Sequence, residues 1–449
     1  MAWSDYITTV KEQIRNKKAK LLIEDELKDH IEEQIKAYQE DGVSYEEAEK
    51  MAVLDMGDPI EVGTELNRIH RPKLEKKLLM MVIIFSVFSL ILQYFVGRIC
   101  VGLNNPNYFI DQLGFTIIGI IIMVLIYFFD YTIIGKYPFL IWSIFYLFGI
   151  YRVLYGHRYF GKVGGIFTLL YLFIPLFAGV LFRLRNMKIK GLIISGIIGG
   201  MPILLAMKGS SFSAMVHYCI ILFIIMNIAV GKRWFGIKKR LGYLIVWTGM
   251  IGIPLVFFVA CYVSGMPLIN EYQKIRWQEI FLTLSNNNIF YRSNFARQAM
   301  TNTKIIGSNT ELLKNNSWIG SDYILVFIFN MFGLIMGLIT VGLVLFLLYK
   351  AFGIARKQRS VLGYMVGMFC ALSFLVQTMF YFISNLGFFQ INDVVSQQVL
   401  PFLSSGGSNI VYSYAVAGLL LSVYRNSDVV SDRIVLNKTS LLGKIRLRS

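Results

Sequence analysis

The sequence predicts an all-α, polytopic membrane protein with about ten transmembrane helices and a small soluble helical domain ahead of them. Three observations predict it. The 449 residues are 56% hydrophobic and only 16% charged, where a soluble protein carries roughly 25% charge. From Leu78 onward, apolar segments recur at close to the roughly 20 residues that cross a bilayer. The first 73 residues are polar, with apolar positions at helical spacing. Charge divides at the same place: residues 1–73 hold 11 Lys/Arg against 17 Asp/Glu, a net of −6, and the remainder nets +23.

The elements follow in order. Trp3, Tyr6, Ile7, Val10 and Ile14 repeat at helical spacing, with Ser4 as the expected N-cap. Ile23, Leu27, Ile31 and Ile35 fall at every fourth position, Tyr38 extends the stripe, and Gly42 is the expected stop. Ser44-Tyr45-Glu46-Glu47 reads as a capping box. Gly57 ends that helix, Asp58-Pro59 opens another, and Pro72 ends it. A bundle of about four short helices results, its acidic residues forming solvated faces.

Ten apolar segments are expected at 78–97, 113–129, 133–150, 163–182, 191–206, 213–230, 241–262, 323–349, 361–385 and 409–424. With the N-terminus inside, the short inner loops hold 14 Lys/Arg and the short outer loops 5. The positive-inside rule then places both termini in the cytoplasm. The chain divides into a cytoplasmic domain 1–73, a membrane domain 74–425 and a basic cytoplasmic tail 426–449. An outer loop of about 60 residues, 263–322, separates the seventh and eighth spans, and its aromatic residues equip it to pack.

Four cysteines, three of them within or beside apolar runs, read as packing residues, and four scattered histidines show no metal-ligand spacing. The basic balance points to anionic lipid rather than nucleic acid. Ten carboxylates follow residue 73, and none sits in the middle of a span. That disfavours a proton-coupled transporter, which keeps ionisable groups near the midplane. Asp322, at the outer mouth of the eighth segment, is open to two readings: a helix N-cap or a functional carboxylate.

Three stretches carry a resemblance. His30, 42–48, Gly57-Asp58-Pro59 and Ile69-His70-Arg71-Pro72 resemble the permease-prefix (HAAS-like) domain, a regulatory or assembly module. Leu400-Pro401-Phe402-Leu403-Ser404-Ser405-Gly406-Gly407-Ser408, just before the last span, resembles the signature of the SEDS family (FtsW, RodA and SpoVE; shape, elongation, division, sporulation). Ser321-Asp322-Tyr323-Ile324-Leu325 is similar to the segment that holds that family's catalytic aspartate. Gly333, Gln377 and the pair Arg276 and Phe281 match further positions. The sequence departs from the pattern at Asn330 and Met331, where the family has two acids, and at 208–213, where it has Gln-Pro-Asp-Leu-Gly-Thr. This marks a divergent member.

The resemblance implies a peptidoglycan glycosyltransferase that polymerises lipid II at the outer face of a bacterial plasma membrane, in division, shape or sporulation. Asp322 would take the proton of the attacking sugar hydroxyl. Cations would neutralise the undecaprenyl pyrophosphate leaving group. Lys274, Arg276, Arg292, Arg297, Lys304 and Lys314 are the candidates in the long loop, and a divalent cation (Mg or Mn) could share the task. Ser404, Gly406, Gly407 and Ser408 are candidate substrate contacts, and Ser408 and Asn409 open the last span either as N-caps or simply as the start of the helix. The implied partner is a class B penicillin-binding protein. Two alternatives stay open: a non-catalytic relative that binds lipid-linked precursors or scaffolds a wall complex, and a lipid-precursor flippase.

Overall fold

The computed structural model describes residues 3–71, 73–100, 107–159, 162–252, 291–314, 316, 318–386 and 399–427. Its architecture is all-α apart from one two-residue hairpin, Arg158–Tyr159 with Lys162–Val163.

Four helices come first: α1 (Trp3–Gln13), α2 (Lys17–Glu40), α3 (Tyr45–Asp55) and α4 (Pro59–Ile69). They close on a hydrophobic cluster of their own, with Tyr6, Val10, Ile23, Ile31, Ile35 and Ala52 buried in it. Ser44 caps α3 by accepting from the Glu47 amide, and the Ser44 hydroxyl donates to the Glu47 carboxylate. Asp58 caps α4, with Pro59 in its first turn. Ser4 is not a cap. It lies inside α1, where its carbonyl accepts from the Thr8 hydroxyl.

The membrane region begins with α5 (Lys76–Ile99), α6 (Asn107–Phe128), a five-residue α7 (Thr132–Lys136) and α8 (Pro138–Tyr155). It continues with α9 (Ile166–Leu184), α10 (Lys188–Lys208), α11 (Phe212–Gly231) and α12 (Lys239–Trp247), the last passing into a π turn (Thr248–Gly252). Then come α13 (Tyr291–Thr301), α14 (Ile319–Asp322), α15 (Ile324–Phe332), α16 (Leu334–Arg356), α17 (Val361–Asn385) and α18 (Gly407–Arg425). Among the described residues, eight helices are long and apolar enough to cross a membrane. They are α5, α6, α8, α9, α10, α11, α16 and α17. The expected last span coincides with α18, and the part of the seventh beyond Gly252 lies outside the described residues. Helices α9 and α17 form the centre, with 83% and 72% of their apolar windows buried, against 22% for α6 and 17% for α8.

Two expected spans are revised. The segment 133–150 is broken at Tyr137, because Pro138 disfavours helical backbone at the residue before it, and the full helix runs Pro138–Tyr155. The segment 323–349 is broken at Gly333, which has φ +91° and ψ 173°. The piece before the break, α15, has nine residues and reaches only about 14 Å at 1.5 Å per residue. It cannot span. The 23-residue α16 spans by itself.

Candidate active site

Asp322 closes the single turn α14 and is half-buried. The cap position of α15 falls on Tyr323, one residue later. Two first-turn amides of α15 are met from α17: Leu325 N–H donates to the Tyr381 hydroxyl and Val326 N–H to Asn385 Oδ1, each at 3.4 Å. A capping role for Asp322 is therefore largely pre-empted. Asn385 Nδ2 donates to the Asp322 carbonyl at 3.0 Å. The Tyr381 ring is fully buried beside this joint.

The signature loop packs against the same turn. The Ser405 amide donates to the Gly320 carbonyl at 2.8 Å. Gln93 Nε2, on α5, donates to Gly320 O at 3.2 Å and to Leu403 O at 2.9 Å, so one buried carboxamide joins the two segments. Tyr108 donates to Gln93 Oε1 at 2.9 Å. Glycine at 320 lets the Tyr108 hydroxyl approach the turn: a Cβ there would meet it at 2.2 Å and displace it. Inside the loop, Ser404 Oγ accepts from the Leu400 amide at 2.9 Å. The Phe402 ring is locked against Phe85, Phe374 and Tyr414.

The expected caps of the last span are corrected. Gly406, at φ +122°, holds the cap position of α18 without a side-chain bond. Gly407, Ser408 and Asn409 lie in the first turn, where the Thr168 hydroxyl of α9 donates to Ser408 Oγ at 3.2 Å and to Asn409 Oδ1 at 2.9 Å. Both residues lie inside the helix rather than ahead of it, which is why neither serves as its cap.

Helix α13 is fastened beside Asp322 by rings. Phe295 and Trp318 stand 4.9 Å apart, and Trp318 and Tyr323 5.0 Å. This places the backbone of Arg292 and the exposed Arg297 on a helix adjoining the turn. Lys304 is exposed on a strap, 304–309, that lies across the Gly333 break. There Leu334 N–H donates to Lys304 O at 2.9 Å and Asn309 N–H to Asn330 O at 2.7 Å. Lys314 is exposed further along. Lys274, Arg276 and Phe281 lie outside the described residues. Asn330 is 1% exposed, its Nδ2 donating to Val326 O and its Oδ1 without a partner. Gln377 is likewise buried with an unpaired Oε1.

Among the described residues no three His, Cys, Asp or Glu side chains come together as a metal site. Sequence reading passed over Gln93, Tyr108, Thr168, Tyr381 and Asn385. The signal available for them was their polarity within otherwise apolar runs, which in a bilayer is expensive unless it serves a purpose.

No family model matches the chain, and no curated protein does. Solved structures do. One is a chain from a peptidoglycan synthase complex described as coordinating polymerization and crosslinking. It superposes at TM-score 0.62 with 15% identity, over 79% of this chain and 98% of that one. The rod-shape-determining protein RodA of Thermus thermophilus, and an aspartate-to-alanine mutant of it, each superpose at TM-score 0.54 with 12% identity and the same coverage. The fold class is thus that of a RodA-like polytopic membrane protein. The neighbours are of the very family whose signature the loop at 400–408 resembles, and nearly their whole length is represented here.

Proposed function

We propose that this chain is a SEDS-type peptidoglycan glycosyltransferase that polymerises lipid II at the outer face of a bacterial plasma membrane, both termini lying in the cytoplasm. The observation that carries the reading is the RodA-like fold with Asp322 held at the joint of α14 and α15, against the 400–408 loop. In the proposed reaction the acceptor's sugar hydroxyl attacks the anomeric carbon of the donor. The new glycosidic C–O bond forms, the anomeric C–O bond to undecaprenyl pyrophosphate breaks, and Asp322 takes the hydroxyl proton. The pyrophosphate leaves with its charge neutralised by loop cations, Arg297 and Lys304 among them with Lys274, Arg276 and Arg292. Gly406, Gly407 and Ser408 are the loop residues open to a substrate, whereas Ser404, 1% exposed and accepting from the Leu400 amide, is corrected from a substrate contact to a residue that holds the loop together. A class B penicillin-binding protein, as the crosslinking partner, would consume the strand.

A second reading has one observation behind it. Position 330, acidic in the family, holds a buried Asn whose Oδ1 has no partner, and Met331 follows it. A retired site that still binds lipid-linked precursor would look like this. Purified lipid II decides. The parent protein is expected to form glycan strands, and Asp322→Asn to lose 10²–10⁴-fold in rate, the typical cost of removing a general base. Asparagine caps a helix as well as aspartate does, so that substitution spares a merely structural role. Activity within about twofold of the parent sinks the assignment of Asp322. No activity in either protein supports the second reading.

A further inference from the structure

Asn385 is the last residue of α17 and is fully buried. Its carboxamide uses all its donors. Nδ2 donates to Asp322 O and to Tyr381 O, both at 3.0 Å, and Oδ1 accepts from Val326 N–H at 3.4 Å. One side chain thus bonds the chain on both sides of the joint between α14 and α15. One turn back, the buried Tyr381 hydroxyl accepts from Leu325 N–H, while the 400–408 loop is tied to the same turn by the Ser405 amide on Gly320 O. The joint needs such support. Helix α14 has only four residues, Tyr323 leaves helical backbone at φ −133°, and the cap residue of neither piece bonds its own first turn. Without α17, the Asp322 carbonyl and the buried Val326 amide would lack these partners.

We propose that Asn385 is a positioning residue, which with Tyr381 fixes the backbone of Asp322 relative to the 400–408 loop and so aims its carboxylate. The proposal rests on the assignment of Asp322 in the glycosyltransferase reading, but its geometric half stands apart from that reading. Loosening the joint leaves the substrate contacts of the loop in place and moves only the reacting group. The loss therefore falls on turnover rather than on substrate affinity, as misplacement of a catalytic group by about 1 Å does.

The test uses the full-length protein in detergent or nanodiscs, with two readouts. Hydrogen exchange followed in peptides covering 323–328 is expected to be at least about tenfold faster in Asn385→Ala than in the parent, with peptides from α16 and α18 unchanged. Lipid II polymerisation is expected to fall about 10- to 100-fold in kcat with KM within about twofold. Asn385→Asp is isosteric and serves where alanine fails to fold. When ionised it still accepts from Val326 but cannot donate to Asp322, so it is expected to lose turnover as the alanine variant does. Unchanged exchange at 323–328 overturns the proposal. So does acceleration shared with α16 and α18, because that is lost packing. So does a loosened joint with undiminished kcat. A parent with no turnover at all refutes the glycosyltransferase reading, and the exchange result then decides the clamp by itself.

Discussion

Gly333 shows how one residue can set the geometry of a site without touching it. Its φ of +91° with ψ of 173° is a conformation that only glycine adopts readily. A Cβ there would also meet the Ile305 carbonyl at 2.7 Å and the Ile306 Cα at 2.9 Å. Gly333→Ala is therefore expected to cost about 1–3 kcal/mol and to lift the 304–309 strap, with Lys304 on it, from the break. Thermal unfolding in detergent measures this, and an unchanged midpoint would show the strain to be absorbed elsewhere. At this scale the sequence was partly readable. Asp322, Gly333 and Ser404 stand out because they sit in a contiguous pattern. Asn385 and Gln93 do not, because each acts on a segment far away in sequence: Gln93 on Leu403, and Asn385 on Asp322. A single polar residue in an apolar run says that it has a partner, not which one.

Among the elements, α15 was one that the sequence concealed. Its residues from Ile324 to Asn330 are all buried, so an apolar run that reads as lipid-facing is in fact wrapped by protein. Hydropathy cannot tell those two surroundings apart, and the glycine that divides α15 from α16 also occurs inside unbroken membrane helices. The polar helices ahead of the membrane were legible, because in water a helix must show its apolar stripe and its caps. In that region Glu24 accepts from Lys11 and from Lys28 at 2.9 Å. The Lys11 bond first, and then the Lys28 bond, hold its carboxyl below the ordinary value of 4.5. A lowered folded pKa gives stability that is present above the unfolded value and lost as pH falls through the folded one. For a fragment of residues 1–73, the thermal midpoint of Glu24→Gln is expected to lie below that of the parent at pH 6. The difference should shrink as pH drops below about 4.5, the ordinary carboxyl value. Comparing the two proteins cancels the opposite effect, the relief of repulsion among the other acids. A difference that persists unchanged at low pH would show that the pair contributes nothing through charge.

For the whole molecule, the polytopic helical character was legible, eight of the described helices being long and apolar enough to cross a membrane, and the direction of the spans is an inference from charge. The 14-to-5 bias of Lys/Arg in short loops sets the inner side at the loops after α9, α11 and α16. The turn of Asp322, the 304–309 strap and the 400–408 loop all fall on the opposite side. The proposed chemistry on exported lipid II requires them on that outer side. Ile306 is 74% exposed on the strap, and Lys357 is exposed in the loop between α16 and α17. In a background with the four native cysteines replaced, Ile306→Cys is expected to react with an impermeant thiol reagent added to intact cells. Lys357→Cys should react only once the membrane is opened. Mass-shift labelling on gels reads both. The reverse pattern would put Asp322 in the cytoplasm, where a polymerase of exported precursors has no substrate. The glycosyltransferase reading would fall with it, while the fold and the clamp at Asn385 would stand.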